Sequence, residues 1–203
     1  MESRNIALTL EKAKEWYNSG SAELKEVALQ AFTKEELKTP MFTNIKIYGD
    51  ARRALEARGT YGEVPFEISH AISNHSSFVT LLDVIREALN EGWKPNLIEG
   101  NVYYPRVRFY PADKAKEIVA KTGWRLGPSF ISDGKKYTLV GGDYELYVLD
   151  GLSGFDLEYG SAIPNLGLLG CKSDEIAAHM SRYFMKEIFE ATYAQYVGLY
   201  KWV

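Results

Sequence analysis

Apolar positions recur at intervals of three and four near both ends of the chain, and they alternate or cluster in its middle. Leu10, Ala13, Trp16 and Tyr17 predict a helix from about Leu10 to Tyr17, with Thr9 as its N-cap and Asn18-Ser19-Gly20 as its stop. Ser21 can cap a second helix in which Leu24, Val27, Ala28 and Ala31 share a face. Thr33-Lys34-Glu35-Glu36 has the spacing of a capping box and predicts a third, short turn. Such short connections favour an antiparallel helical hairpin. Lys38-Thr39-Pro40 ends the pattern, so residues 1–38 read as a helical module and 39–203 as a separate α+β domain.

After that break the periods change. Phe42 to Tyr48 alternates in part and predicts a short strand, and Asp50 to Arg58 a brief helix stopped by Gly59. Thr60 to Ser77 reads as a connection. Ser76 or Ser77 can cap a helix to about Glu91, with Phe78, Leu81, Leu82, Ile85 and Leu89 on its apolar stripe and Gly92 closing it. Asn101 to Tyr110 is rich in Tyr, Val and Phe, and its Pro105 suits an edge strand or a bulge. Pro111 to Lys121 predicts a helix that ends at Gly123. Gly127 to Asp133 and Lys136 to Val140 flank Asp133-Gly134, a strong hairpin signal, and Tyr144 to Leu149 predicts the next strand. Ser173 caps one long helix over 173–191, with Ile176, Met180, Phe184 and Ile188 on its buried stripe. The aromatic tail from Tyr193 to Val203 can add a final strand. The fold class is therefore α+β: an N-terminal helical hairpin, a mostly antiparallel sheet from the middle of the chain, and a long C-terminal helix packed on it.

Composition narrows the function classes. With 203 residues, a net charge of −3 and no Lys/Arg block, the chain lacks the broad electrostatic footprint of a nucleic-acid binder. No apolar run approaches membrane-spanning length and no secretory signal follows the polar N-terminus, which points to an intracellular-type protein without a membrane. The single cysteine excludes an intrachain disulfide. Aromatic residues are abundant, with 14 Tyr, 9 Phe and 4 Trp. Half-buried strand positions account for many of them, and interface anchors are the sharper reading. Trp16, Tyr17, Trp93, Tyr103 and Tyr104 are the candidate interaction residues.

No constellation fixes a reaction. His70 and His75 are five apart, the wrong spacing for two ligands on one helix face, and no cysteine pair joins them. His179 is expected on the exposed side of the C-terminal helix. Cys171 precedes a helix N-terminus, a position that can lower a thiol pKa, but a base at His179 would be two turns along the same helix; a structural role is the better reading. Asp150, Asp156 and Glu158 gather three carboxylates in a Gly-rich stretch without the spacing of a calcium loop. Gly141-Gly142 lacks the Gly-Lys-Ser/Thr of a phosphate loop. No catalytic residue, metal ligand or cofactor is expected.

Three stretches carry a likeness. They are Leu8-Thr9-Leu10-Glu11-Lys12-Ala13-Lys14-Glu15-Trp16-Tyr17-Asn18-Ser19-Gly20 with Ala28-Leu29-Gln30-Ala31-Phe32-Thr33; Ile85-Arg86-Glu87-Ala88-Leu89-Asn90-Glu91-Gly92-Trp93-Lys94-Pro95; and Leu168-Leu169-Gly170-Cys171 through Glu175-Ile176-Ala177-Ala178-His179, with Tyr183-Phe184. Together they resemble a family of proteins encoded by phages and prophages of gut Bacteroidales, a family with no established activity. The resemblance implies a phage setting, in the host cytoplasm or the virion, and no chemistry. The expectation is a non-enzymatic structural or interaction protein, with a phage or host protein or a second copy of the chain as partner. The alternative is a counter-defence protein that binds a small nucleotide-type ligand with Tyr and Trp faces and a few Arg or Lys. Residues 8–37 are the expected docking element.

Overall fold

The computed structural model describes residues 8–38, 42–60, 75–94, 99–150 and 169–203. Helices α1 (Leu10–Ser19) and α2 (Ala22–Ala31) start where a hydroxyl is available: Thr9 Oγ1 accepts the Lys12 N–H and Ser21 Oγ the Leu24 N–H. In α3 (Lys34–Lys38) the capping box forms, with the Glu36 carboxylate accepting the Thr33 N–H and Thr33 Oγ1 accepting the Glu36 N–H. Ala13, Ala28 and Leu37 make a small core of their own, covered by Leu8, Trp16, Tyr17 and Phe32. Lys14, almost fully buried, carries its ammonium 3.0 Å from the Glu91 carboxylate, which also takes Lys172 at 2.8 Å. This charged clasp ties the three helices to the rest of the protein.

The expected strand at 42–48 does not form. Phe42–Asn44 is a turn of 3₁₀ helix, and helix α4 (Tyr48–Arg58) begins early because the Asp50 carboxylate accepts the N–H groups of Lys46 (2.9 Å) and Ile47 (3.1 Å). Helix α5 (His75–Asn90) buries Leu81, Leu82, Ile85 and Leu89, as its stripe predicts. Arg58 donates to the Glu87 and Ala88 carbonyls in its last turn, a cation placed at the negative end of a helix. Most of the expected connection at 60–77 lies outside the described residues.

The sheet is four-stranded and antiparallel, in the order β1 (Glu99–Pro111), β3 (Lys135–Asp150), β2 (Arg125–Ser132), β4 (Tyr200–Trp202). β1 is an edge strand with an irregularity at Arg106/Val107, one residue beyond Pro105. Helix α6 (Ala112–Thr122) links β1 to β2 and stops at Gly123. Asp133 and Gly134, both with positive φ, form the tight turn between β2 and β3. The expectation of separate strands at 136–140 and 144–149 is corrected: β3 runs unbroken through Gly141-Gly142, whose lack of side chains serves packing rather than a turn.

The expected single helix over 173–191 is divided at Phe184 into α7 (Asp174–Tyr183) and α8 (Met185–Thr192). The stripe survives the division, since Ile176, Met180, Phe184 and Ile188 are all buried. The break falls where the helix is drawn onto the sheet. A Cβ built on Gly141 would lie 1.9 Å from the Ser181 carbonyl oxygen, and one on Gly127 would lie 2.4 Å from the Met185 sulfur. Ser181 Oγ accepts the Gly142 N–H at 2.9 Å and donates to the Asp143 carbonyl at 2.8 Å, tying helix to strand just before the break. The sheet, the α7–α8 pair and the α4–α5 pair thus stack in succession around one core.

The tail forms a short helix α9 (Ala194–Val197) before β4. Phe130, Phe189, Tyr200, Trp202 and Tyr137 meet there, with the Phe130 and Phe189 rings 4.9 Å apart and Phe130 stacked on Tyr137. Each such pair adds about 0.5–1.5 kcal/mol beyond area burial, which gives much of the aromatic content a packing role.

A cationic groove at the helix break

The five candidate interaction residues do not converge. Trp16 and Tyr17 pack on the N-terminal cluster, Trp93 follows α5, and Tyr103 and Tyr104 sit partly buried on β1, with Tyr103 edge-on to Tyr144 at 5.9 Å. Among the carboxylates read as a group, Asp150 ends β3, while Asp156 and Glu158 lie outside the described residues, as does His70. His75 is the first residue of α5. Among the described residues, no group of three or more His, Cys, Asp or Glu side chains is placed to hold a metal ion.

His179 is buried, not exposed as expected. Its Nε2 lies 2.7 Å from the Ile45 carbonyl, and its ring packs against Tyr183 (4.5 Å) and Phe42 (5.5 Å). The covering segment is the 42–45 stretch, whose 3₁₀ turn the alternating pattern did not announce. Burial lowers the His179 pKa, and Lys46 and Arg182 lower it further.

Cys171 pairs with Tyr103 through two backbone hydrogen bonds (3.1 and 2.8 Å) and is fully buried. Asn90 holds the neighbouring backbone, donating to the Gly170 carbonyl and accepting the Lys172 N–H. Burial pushes the Cys171 thiol up to about 12. Such a thiol is protonated at neutral pH and shielded from solvent. A thiol-directed reagent is expected to label Cys171 only after denaturation. Because the folded thiol holds its proton above the ordinary pKa of about 8.5, its contribution to stability is intact below that value and is lost as pH rises towards 12. Rapid labelling of the native chain at neutral pH would contradict this placement.

Chemistry gathers instead at the helix break. A groove of about 380 Å³ is lined by Arg125, Gly127 and Pro128 from β2 and by Arg182, Tyr183, Met185, Lys186 and Glu187 from α7 and α8. Arg182 Nε is buried without a hydrogen-bond partner, the one such side-chain atom among the described residues. Its guanidinium lies against the backbone where a Cβ on Gly142 would stand 3.4 Å away. Arg125 sits 4.8 Å over the Tyr183 ring, and Lys46 reaches the same ring at 5.5 Å. No carboxylate among the described residues lies within 4.0 Å of Arg125, Arg182, Lys186 or Lys46. The arginines of β1 differ: Arg106 pairs with Glu145 at 3.1 Å and Arg108 with Asp143 at 2.8 Å.

No family model, curated protein or solved structure matches this chain. The groove must therefore be read from its own chemistry. The first turn of α8, which has no side-chain cap, presents Met185, Lys186 and Glu187 to the groove and adds the positive end of a helix dipole. Two other depressions are less suited to a ligand. The larger, about 580 Å³, is lined by Glu11, Glu91 and Glu175, and its Lys172 is already engaged by Glu91. The other holds Glu190, which Tyr200 Oη and Trp202 Nε1 both engage.

The sequence carried one overlooked sign of the groove. Arg182 and Lys186 are four apart on a helical pattern, a like-charge pair that weakens a helix unless an anion lies near. Arg125, far along the chain, gave no sign at all.

Proposed function

We propose that this chain is a binding protein for a small phosphate-bearing ligand, held in the groove between β2 and the α7–α8 break. The observation that carries the reading is Arg182, whose Nε–H is buried without an acceptor, in a groove also lined by Arg125 and Lys186, neither of which has a carboxylate within 4.0 Å among the described residues; the Lys186 ammonium lies 5.4 Å over the Trp202 ring. A buried donor left without a partner costs about 1–3 kcal/mol, and more when charged, so an anion that draws the Arg182 guanidinium off Gly142 towards the groove and accepts from its Nε–H recovers that cost on binding. Arginine also suits phosphate by its forked geometry. Arg125 is oriented by the Tyr183 face, which reduces the ordering needed when a ligand arrives.

This favours the ligand-binding alternative over the virion or capsid role. In the phage setting of the family resemblance, such a protein would sequester a phosphorylated signal in the host cytoplasm. Thermal denaturation of the purified chain in increasing pyrophosphate tests the binding. Stabilisation is expected to grow with ligand and reach about 2.7 kcal/mol at a hundredfold excess over Kd, and to weaken in high salt. An unchanged transition in phosphate, pyrophosphate and nucleotide would end the proposal.

A further inference from the structure

Positive charge extends past the lining of the groove. Lys46 belongs to the 42–47 segment and not to β2 or the helix break, yet its ammonium reaches the Tyr183 ring at 5.5 Å, the ring over which Arg125 stands at 4.8 Å. Lys46 and Arg182 both depress the His179 pKa, which puts both charges near the same imidazole. The exposed Lys46 side chain springs from a fixed backbone: the Asp50 carboxylate accepts its N–H at 2.9 Å, and the preceding Ile45 carbonyl lies 2.7 Å from His179 Nε2. Asp50 is itself paired with Arg53. Arg125, Arg182 and Lys186 line the groove with one acid, Glu187, whose carboxylate takes its own backbone N–H. Lys46 adds a fourth cation at the rim, so four cations against one carboxylate leave an excess of three positive charges. One phosphoryl group carries about −1.5 to −2 at neutral pH and meets only part of that excess.

We infer that Lys46 is a second cationic arm of this site, and that the ligand carries two linked anionic groups of the diphosphate kind, one held by Arg125 and Arg182 and the other by Lys46. The inference rests on the anion-binding reading above. Arg125 and Lys46 lie against one ring, so the two anionic groups must be close neighbours, as in a diphosphate, and not the distant ends of a long molecule. The division of labour suits the side chains. The arginine forks fix one group in orientation, while an ammonium on a mobile stem meets a terminal group as a point charge. Because the Lys46 backbone is already held by Asp50, only its side chain must be ordered when the ligand arrives.

Calorimetric titration of the full chain with inorganic phosphate and with pyrophosphate tests it, alongside Lys46→Ala. The titrations are run in about 0.3 M salt, where a charge acting from afar is largely screened. Wild-type protein is expected to bind pyrophosphate about tenfold or more tighter than phosphate, within the range of a hydrogen bond to a charged group. Lys46→Ala is expected to remove most of that preference while phosphate affinity moves by less than about threefold, and the phosphate binding that remains shows the variant to be folded. Amide hydrogen exchange over 42–47 is expected to slow in pyrophosphate and not in phosphate, since only the longer anion bridges that segment to β2. Equal affinity for the two anions in the wild type overturns the inference and leaves the anion site standing. A preference that survives Lys46→Ala overturns the role of Lys46. An equal loss of both anions in that variant puts Lys46 on the first group and overturns the two-group ligand. Absence of binding by either anion overturns both readings.

Discussion

Gly141→Ala is expected to destabilise the fold by about 3 kcal/mol or more, at the upper end of the cost of overpacking. The added methyl would meet the Ser181 carbonyl oxygen at 1.9 Å and the Ser181 carbonyl carbon at 2.8 Å. These are backbone atoms, so no side-chain rotation relieves the clash; α7 must rise from β3. That movement would strain the Ser181 bonds to Gly142 and Asp143 and loosen the packing of Met180, Phe184 and Met185. Urea denaturation reads the effect as a lower midpoint. A loss below about 1 kcal/mol would mean that the helix does not approach the strand this closely.

Arg182→Ala is expected to weaken pyrophosphate binding by about 10- to 150-fold, the equivalent of the 1.5–3 kcal/mol assigned to a hydrogen bond with a charged group. Arg182→Lys is expected to recover only part of it, because an ammonium cannot offer the forked contact. Without ligand, the denaturation midpoint of Arg182→Ala is expected to move little. The substitution removes packing over Gly142 but also a buried donor that has no acceptor. Affinity and stability should therefore separate. Equal affinity in wild type and variant would remove Arg182 from the site.

The elements legible in the sequence were those with local causes. Thr9, Ser21, Thr33 and Ser173 each cap the helix they announce, and Asp133-Gly134 makes its turn. The α+β class followed from the order of these elements. What failed depended on distant partners. Phe42–Tyr48 looked like a strand because Ile45 and Ile47 alternate with polar residues, yet Ile45 is fully buried while Ile47 is 61% exposed, since Asp50 turns this stretch into a helix start. The division at Phe184 was hidden because the stripe keeps its four-residue spacing through it; its setting is Gly127 and Gly141, more than forty residues upstream. The same contact makes the groove. Arg125 and Arg182 are brought together only by that packing, so no local motif could report the site. The aromatic residues drew attention by number, and many of them pack against the core instead.

The most direct test is to observe the Arg182 Nε–H itself. In a nitrogen-15 spectrum of arginine side chains, assigned with the Arg182→Lys variant, the Arg182 signal is expected to shift progressively as pyrophosphate is added. Arg125 should move with it, while Arg106 and Arg108, held by their own carboxylates, should stay in place. An Arg182 signal that remains fixed at saturating pyrophosphate would contradict the account.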